Sequence, residues 1–151
     1  MWDFSWLVRR SSPEAEFANW SSVLDDVVER GYDCVRIDAF PHLIAADPHG
    51  VVQQNFSILP QKPDFMWGNH QTVTVDPRAG LISFISLAAS RNICVGLSAW
   101  YNPDHTSRYL TIATPADLTR VWNETLTFLD QHQLLGSILW VDLCNEFPIG
   151  Q

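Results

Sequence analysis

No run of basic residues occurs anywhere in this sequence. Lys and Arg number 9 against 17 Asp and Glu in 151 residues, a formal net charge of -8. Phosphate backbones and anionic lipid surfaces are recognised by clustered Lys and Arg. Neither nucleic acid nor membrane is therefore an expected partner; a small neutral ligand suits this balance better, as does a plainly solvated acidic surface. Long apolar stretches are also missing, since none approaches the roughly 18 residues of a membrane span. The N-terminal MWDFSWLVRR carries its arginines after its apolar residues, the reverse of a secretory signal. A cytoplasmic location is the expectation. Cysteine is scarce: Cys34, Cys94 and Cys144 are odd in number and share no metal-type spacing. Each falls in an apolar run and reads as a small buried hydrophobe rather than a redox or metal group. Nucleophile elbows, Gly-rich phosphate loops and CxxC pairs are absent, which disfavours acyl transfer and nucleotide binding. Neither a cofactor nor a metal is expected.

What is present is the patterning of a globular α/β chain, 46% hydrophobic and 17% charged. Short apolar runs alternate with longer amphipathic segments. WDFSWLV (2–8) reads as a first strand. A helix should follow, opened by a capping box at Ser11 and Glu14, striped by Phe17, Trp20, Leu24, Val27 and Val28, and stopped by Gly31. DCVRIDAF (33–40) is the second strand. Asp76-Pro77 opens a second helix with Leu81, Ile82, Phe84, Ile85 and Ala88 inward, and NICVGLSAW (92–100) is the third strand. Thr114-Pro115 with Asp117 opens a third helix, whose inward side carries Leu118, Val121, Trp122, Thr125, Leu126 and Leu129. SILWVDLC, after Gly136, is the fourth strand. Val, Ile and Leu on both parities imply strands buried on both faces, as in a helix-covered parallel sheet. The order is (βα)3β4, with a long connection at about 41–75 where ligand-binding loops of α/β proteins lie.

Chemistry concentrates at the ends of these strands. Glu146 ends the fourth strand beside Asn145. A carboxylate there can act as general acid when burial or a second carboxylate raises its pKa, with the amide binding a substrate hydroxyl. It could equally begin a βα loop and stabilise the next helix's N-terminus. Arg36 and Asp38, two apart on the second strand, share a face. Arg36 either neutralises Asp38 in a structural pair or orients a catalytic carboxylate. Trp100-Tyr101 closes the third strand with an indole suited to stacking on a sugar ring or to plugging the sheet's end. His42, four residues past Asp38, is the strongest of the loop histidines; with His70 and His105 it forms no metal pattern.

CVRIDAF and WVDLCNEFP together resemble the (β/α)8 glycoside hydrolases of clan A, particularly the cellulase-like branch. That resemblance implies a TIM-barrel fold of which 1–151 would be the N-terminal half, strands one to four. It implies a retaining glycosidase acting on a β-linked sugar, with Glu146 as acid/base, Asn145 on the sugar 2-hydroxyl and Arg36 supporting the nucleophile. Asp38, His42, Trp100 and Tyr101 would complete the substrate-binding set. Phe147 stands where Pro is commoner, and GLSAWYN lacks the His that many cellulases carry near the end of strand three. The clan's nucleophile is a Glu on strand seven, and such a barrel needs about 250 residues. The expected partners are then a carbohydrate and the other half of the barrel, or a second copy, and the isolated chain is expected to be inactive. Two other readings stand beside this one. One is a carbohydrate-binding or pseudo-enzyme module without chemistry; the other is a barrel enzyme using Glu146 as a proton-abstracting base, with a divalent metal.

Overall fold

Three of the four expected strands form one parallel sheet. The computed structural model describes residues 5–8, 15–58, 72–101 and 107–145. Within them β1 (Cys34–Asp38), β4 (Cys94–Ser98) and β5 (Ile138–Val141) lie in the order β1-β4-β5. Cys34 pairs with Cys94, Arg36 with Gly96 and Asp38 with Ser98. Between β4 and β5 the register slips: Val95 faces Ile138 and Gly96 faces Trp140, so Leu139 is the extra residue of a bulge.

The first expected strand is corrected. Ser5–Val8 is a helical turn, α1, and all four of its residues are buried. A run buried at every position carries no period-2 signal, so its sequence could not separate strand from helix. Hydrogen bonds then decide its placement. The Trp6 indole N–H donates to the Asp38 carbonyl at 2.9 Å, and the Trp20 indole N–H donates to the Trp6 carbonyl at 2.6 Å. Trp6, Trp20 and Phe84 form an aromatic cluster with ring centroids 5.0–5.6 Å apart.

The first long helix, α2 (Trp20–Glu29), also begins later than its sequence pattern implied. Asn19 is its N-cap, accepting from the Ser22 N–H at 3.3 Å; Ser11 and Glu14 lie outside the described residues. Val28 is 48% exposed and leaves the expected stripe. Gly31 does end the helix, at φ 76°. Its N–H reaches Val28 and that of Tyr32 reaches Val27, the paired bonds of a Schellman cap.

The long connection is structured where it is described. Pro41–Ile44 forms a short helix, α3, while β2 (Phe56–Ile58) and β3 (Val73–Val75) pair antiparallel. Helices α4 (Pro77–Ala89) and α5 (Pro115–Gln131) start at the expected caps, Asp76 and Thr114, and the Thr114–Asp117 capping box is complete. No described helix is long and apolar enough to cross a membrane.

The two faces of the sheet differ. Val35, Ile37, Val95 and Leu97 belong to the core; on the alternate face Asp38, Gly96 and Ser98 are buried, while Cys34, Arg36, Cys94, Trp140 and Asp142 are half-buried or exposed. Burial on both faces thus holds at Asp38, Gly96 and Ser98 and fails toward the strand starts and β5, and this second face carries the polar groups. Gly96 sits on that second face beneath the Trp140 indole, which a Cβ would strike. Gly96→Ala is expected to destabilise the chain by about 1–3 kcal/mol through overpacking. Urea unfolding followed by circular dichroism checks this; an unchanged midpoint would mean the indole yields freely.

Candidate active site

The polar face converges at the carboxyl ends of the three parallel strands, where ligands bind in α/β sheets. Two backbone bonds fix β5's end against β4. The Asp142 N–H donates to the Leu97 carbonyl and the Asn145 N–H to the Ala99 carbonyl, both at 2.8 Å. Asp142 and Asn145 are thereby brought over Ser98 and Arg36.

Arg36 is the hub. Its Nη2 donates to Ser98 Oγ at 2.8 Å, to Asn145 Oδ1 at 2.7 Å and, in a short ion pair, to Asp142 Oδ2. Two hydrogens serve three oxygens, so at least one is shared. Ser98 Oγ in turn donates to Asp142 Oδ2 at 2.8 Å. The guanidinium also lies over the Trp100 ring, 5.0 Å from its centroid. Burial acts to raise the Asp142 pKa. The Ser98 and Arg36 hydrogen bonds, the Arg36 charge and the Cys144 N–H outweigh it and hold the carboxyl below its ordinary value.

Of the two roles expected for Arg36, holding a carboxylate in place has a direct counterpart here. Arg36 is in ion-pair contact with Asp142, two strands away, and Asp38 accepts from backbone. Asp38 is 1% exposed, and its carboxylate accepts from the Phe40 N–H at 2.8 Å and the Trp100 N–H at 3.4 Å. From the strand face that it shares with Asp38, the Arg36 guanidinium reaches sideways across the sheet. Asp142 and Ser98 were not among the residues that the sequence singles out. The available signal was a lone charge inside the apolar run ILWVDLC, which needs a partner as much as Arg36 does.

An acid titration isolates the Asp142 contribution. Its folded pKa lies below the unfolded value of about 3.9. The resulting stabilisation is complete above that value and is lost as pH falls through the folded pKa. Asp142→Asn should therefore lose stability less steeply than the parent chain between about pH 5 and pH 2. Urea midpoints across that range check this, and parallel curves would contradict it.

His42 and Tyr101 flank the hub. His42 is buried on α3, with its ring 5.7 Å from that of Tyr101. Phe40 and Tyr101, just past the ends of β1 and β4, both hold positive φ, 50° and 48°. Such conformations persist where surrounding contacts impose them. For Tyr101 one contact is its hydroxyl, which donates to the Leu143 carbonyl at 3.0 Å, the same carbonyl that accepts from the Trp122 indole. Burial raises the Tyr101 pKa, so the phenol stays a neutral donor. Three arginines fasten the end of α3: Arg78 donates to Ile44, Arg108 to Ala45 and Arg120 to Ala46. These cations cover the carbonyls that a helix C-terminus leaves open.

Asn145, Arg36, Asp38, His42, Trp100 and Tyr101 thus gather at one end of the sheet. Glu146, His70 and His105 lie outside the described residues. Two surface grooves lie elsewhere, one beside Trp20 and Gly80 and the other beside Arg30 and Cys34. Neither of these two includes the converged polar groups.

A family model described as sugar-binding cellulase-like matches residues 1–151. The chain belongs to the cellulase-like family. Among solved structures it is similar to a provisionally assigned glycoside hydrolase from Parabacteroides distasonis, with 40% identity and a TM-score of 0.85. The match covers 97% of this chain and 37% of that one, so this cellulase-like chain spans little more than a third of its relative's length. No curated protein matches it. A carbohydrate-related role follows from the family, and the mixed α/β architecture with a parallel sheet agrees with the neighbour's fold.

Proposed function

We propose that this cellulase-like chain supplies the acid/base half of a retaining β-glycosidase, with Glu146 as the proton donor. The observation that carries the reading is the Arg36 hub, which ties Asn145, Glu146's chain neighbour, to the carboxyl ends of β1 and β4. A guanidinium only donates, so the Asn145 carbonyl oxygen must face it. The amide NH2 then points away from Arg36, an orientation that suits donation to a sugar hydroxyl.

In this mechanism Glu146 protonates the glycosidic oxygen while a second carboxylate attacks the anomeric carbon. Glu146 then removes a proton from the water that releases the sugar. Retention requires the two carboxyl groups about 5–5.5 Å apart. Asp142 is engaged by Arg36 and Ser98, and Asp38 by backbone N–H groups. Neither is free to attack in this arrangement, and the clan-A resemblance implies a strand-seven Glu as the nucleophile, in a barrel completed by further strands or by a second copy. Leu139, Trp140 and Leu143, on or just past the edge strand β5, are 62%, 40% and 52% exposed, as such completion needs.

The family's sugar-binding description favours a second reading, a module that binds carbohydrate without cleaving it. Titrating the full-length protein with β-linked oligosaccharides, while following reducing-end release, separates the two. Binding with turnover supports the glycosidase; saturable binding without turnover supports the module and overturns the glycosidase.

A further inference from the structure

Cys34 and Cys94 were read from sequence as isolated buried hydrophobes, and the fold places them together. They are the first residues of β1 and β4 and are direct register partners on the polar face, one step below Arg36 and Gly96. Neighbouring strands run about 4.8 Å apart, within the Cα separation that a disulfide spans. Both thiols are free and only half-buried. Cys94 Sγ lies 3.2 Å from the Asp33 carbonyl, and Cys34 borders an open groove of about 550 Å³ lined by Asp26, Arg30 and Tyr32.

We propose that Cys34 and Cys94 are a redox dithiol that closes to a cross-strand disulfide by exchange with a small-molecule disulfide. As strand-end residues they can draw together with less disturbance of the ladder than mid-strand residues could. Burial, followed by hydrogen bonding to Cys94 and the Cys94 charge, pushes the Cys34 thiol up to about 12. With Cys34 held protonated, Cys94 is assigned as the attacking thiol. Its thiolate forms a mixed disulfide and expels one thiolate leaving group. Cys34 then loses its proton and attacks the Cys94 sulfur, expelling the second. Two protein thiols give up two protons and two electrons, and the oxidant becomes two thiols. The new bond would tie together the strands that hold Arg36 and Ser98.

The test is incubation of the native full chain with oxidised glutathione, acid quench, alkylation and peptide mapping. The expected product is a Cys34–Cys94 cross-linked peptide that dithiothreitol reopens, with Cys144 still alkylated. In Cys34→Ser, glutathione should remain on Cys94 as an unresolved adduct. Full alkylation of Cys34 and Cys94 in the parent chain, or a glutathione adduct that never closes, would overturn the proposal without reference to the variant.

Discussion

Replacing Glu146 with Gln in the full-length protein should slow hydrolysis of β-glycosides with poor leaving groups by about 10²–10⁴-fold, the usual worth of a positioned general acid. Aryl glycosides with activated leaving groups need no proton at the first step, so they should still form the covalent intermediate. They should then stall, because deglycosylation has lost its base. A burst followed by a slow steady state is the expected trace. Glu146→Ala with added azide should regain turnover on activated substrates, since a small anion can attack without base assistance. Stopped-flow and steady-state rates on a leaving-group series check both points. A uniform loss across the series would make Glu146 a binding residue, and near-normal rates on poor leaving groups would remove it from the chemistry.

Arg36→Met should produce the second large effect, on stability and sugar handling together. Arg36 bonds Ser98, Asn145 and Asp142, and the Arg36 and Asp142 side chains are 21% and 34% exposed. The pair is neither deep in the core nor on the rim. Losing its charged hydrogen bonds should destabilise the chain by about 2–3 kcal/mol, short of a fully buried pair. Asn145 would also lose the donor that orients its amide, so sugar affinity should fall with it. Arg36→Lys should rescue little, because an ammonium cannot reproduce the planar fork. Paired with Asp142→Asn, the double-mutant cycle should show coupling of at least about 1 kcal/mol. Additive effects, with unchanged sugar binding, would reduce Arg36 to a surface charge.

Local signals specified the elements that carry their own caps and periods. Asp76-Pro77 and Thr114-Pro115-Asp117 opened α4 and α5 as read, because a cap bonds within its own first turn. The apolar runs containing Val35, Val95 and Leu139 became parallel strands. Tertiary contacts decided the rest. Trp6, Leu7 and Val8 are buried at every position, so periodicity could not tell a helical turn from a strand. The same lack of alternation in β5 conceals the bulge at Leu139 that sets Trp140 over Gly96 and Asp142 toward Arg36.

At the site, residue types were more legible than partnerships. Arg36, Asn145, Asp38, His42, Trp100 and Tyr101 were singled out by composition and strand position, and they do assemble at one end of the sheet. The Arg36–Asp142 contact joins residues 106 positions apart, which strand parity does not reveal. The Cys34–Cys94 juxtaposition was hidden for the same reason: register between non-consecutive segments leaves no short-range trace.

The glycosidase mechanism proposed for Asn145-Glu146 requires retention at the anomeric carbon. Proton NMR of the first product released from a β-linked oligosaccharide by the full-length protein tests it most directly. The β anomer should appear first and mutarotate toward equilibrium afterwards. Initial release of the α anomer would mean direct displacement by water and would contradict the account.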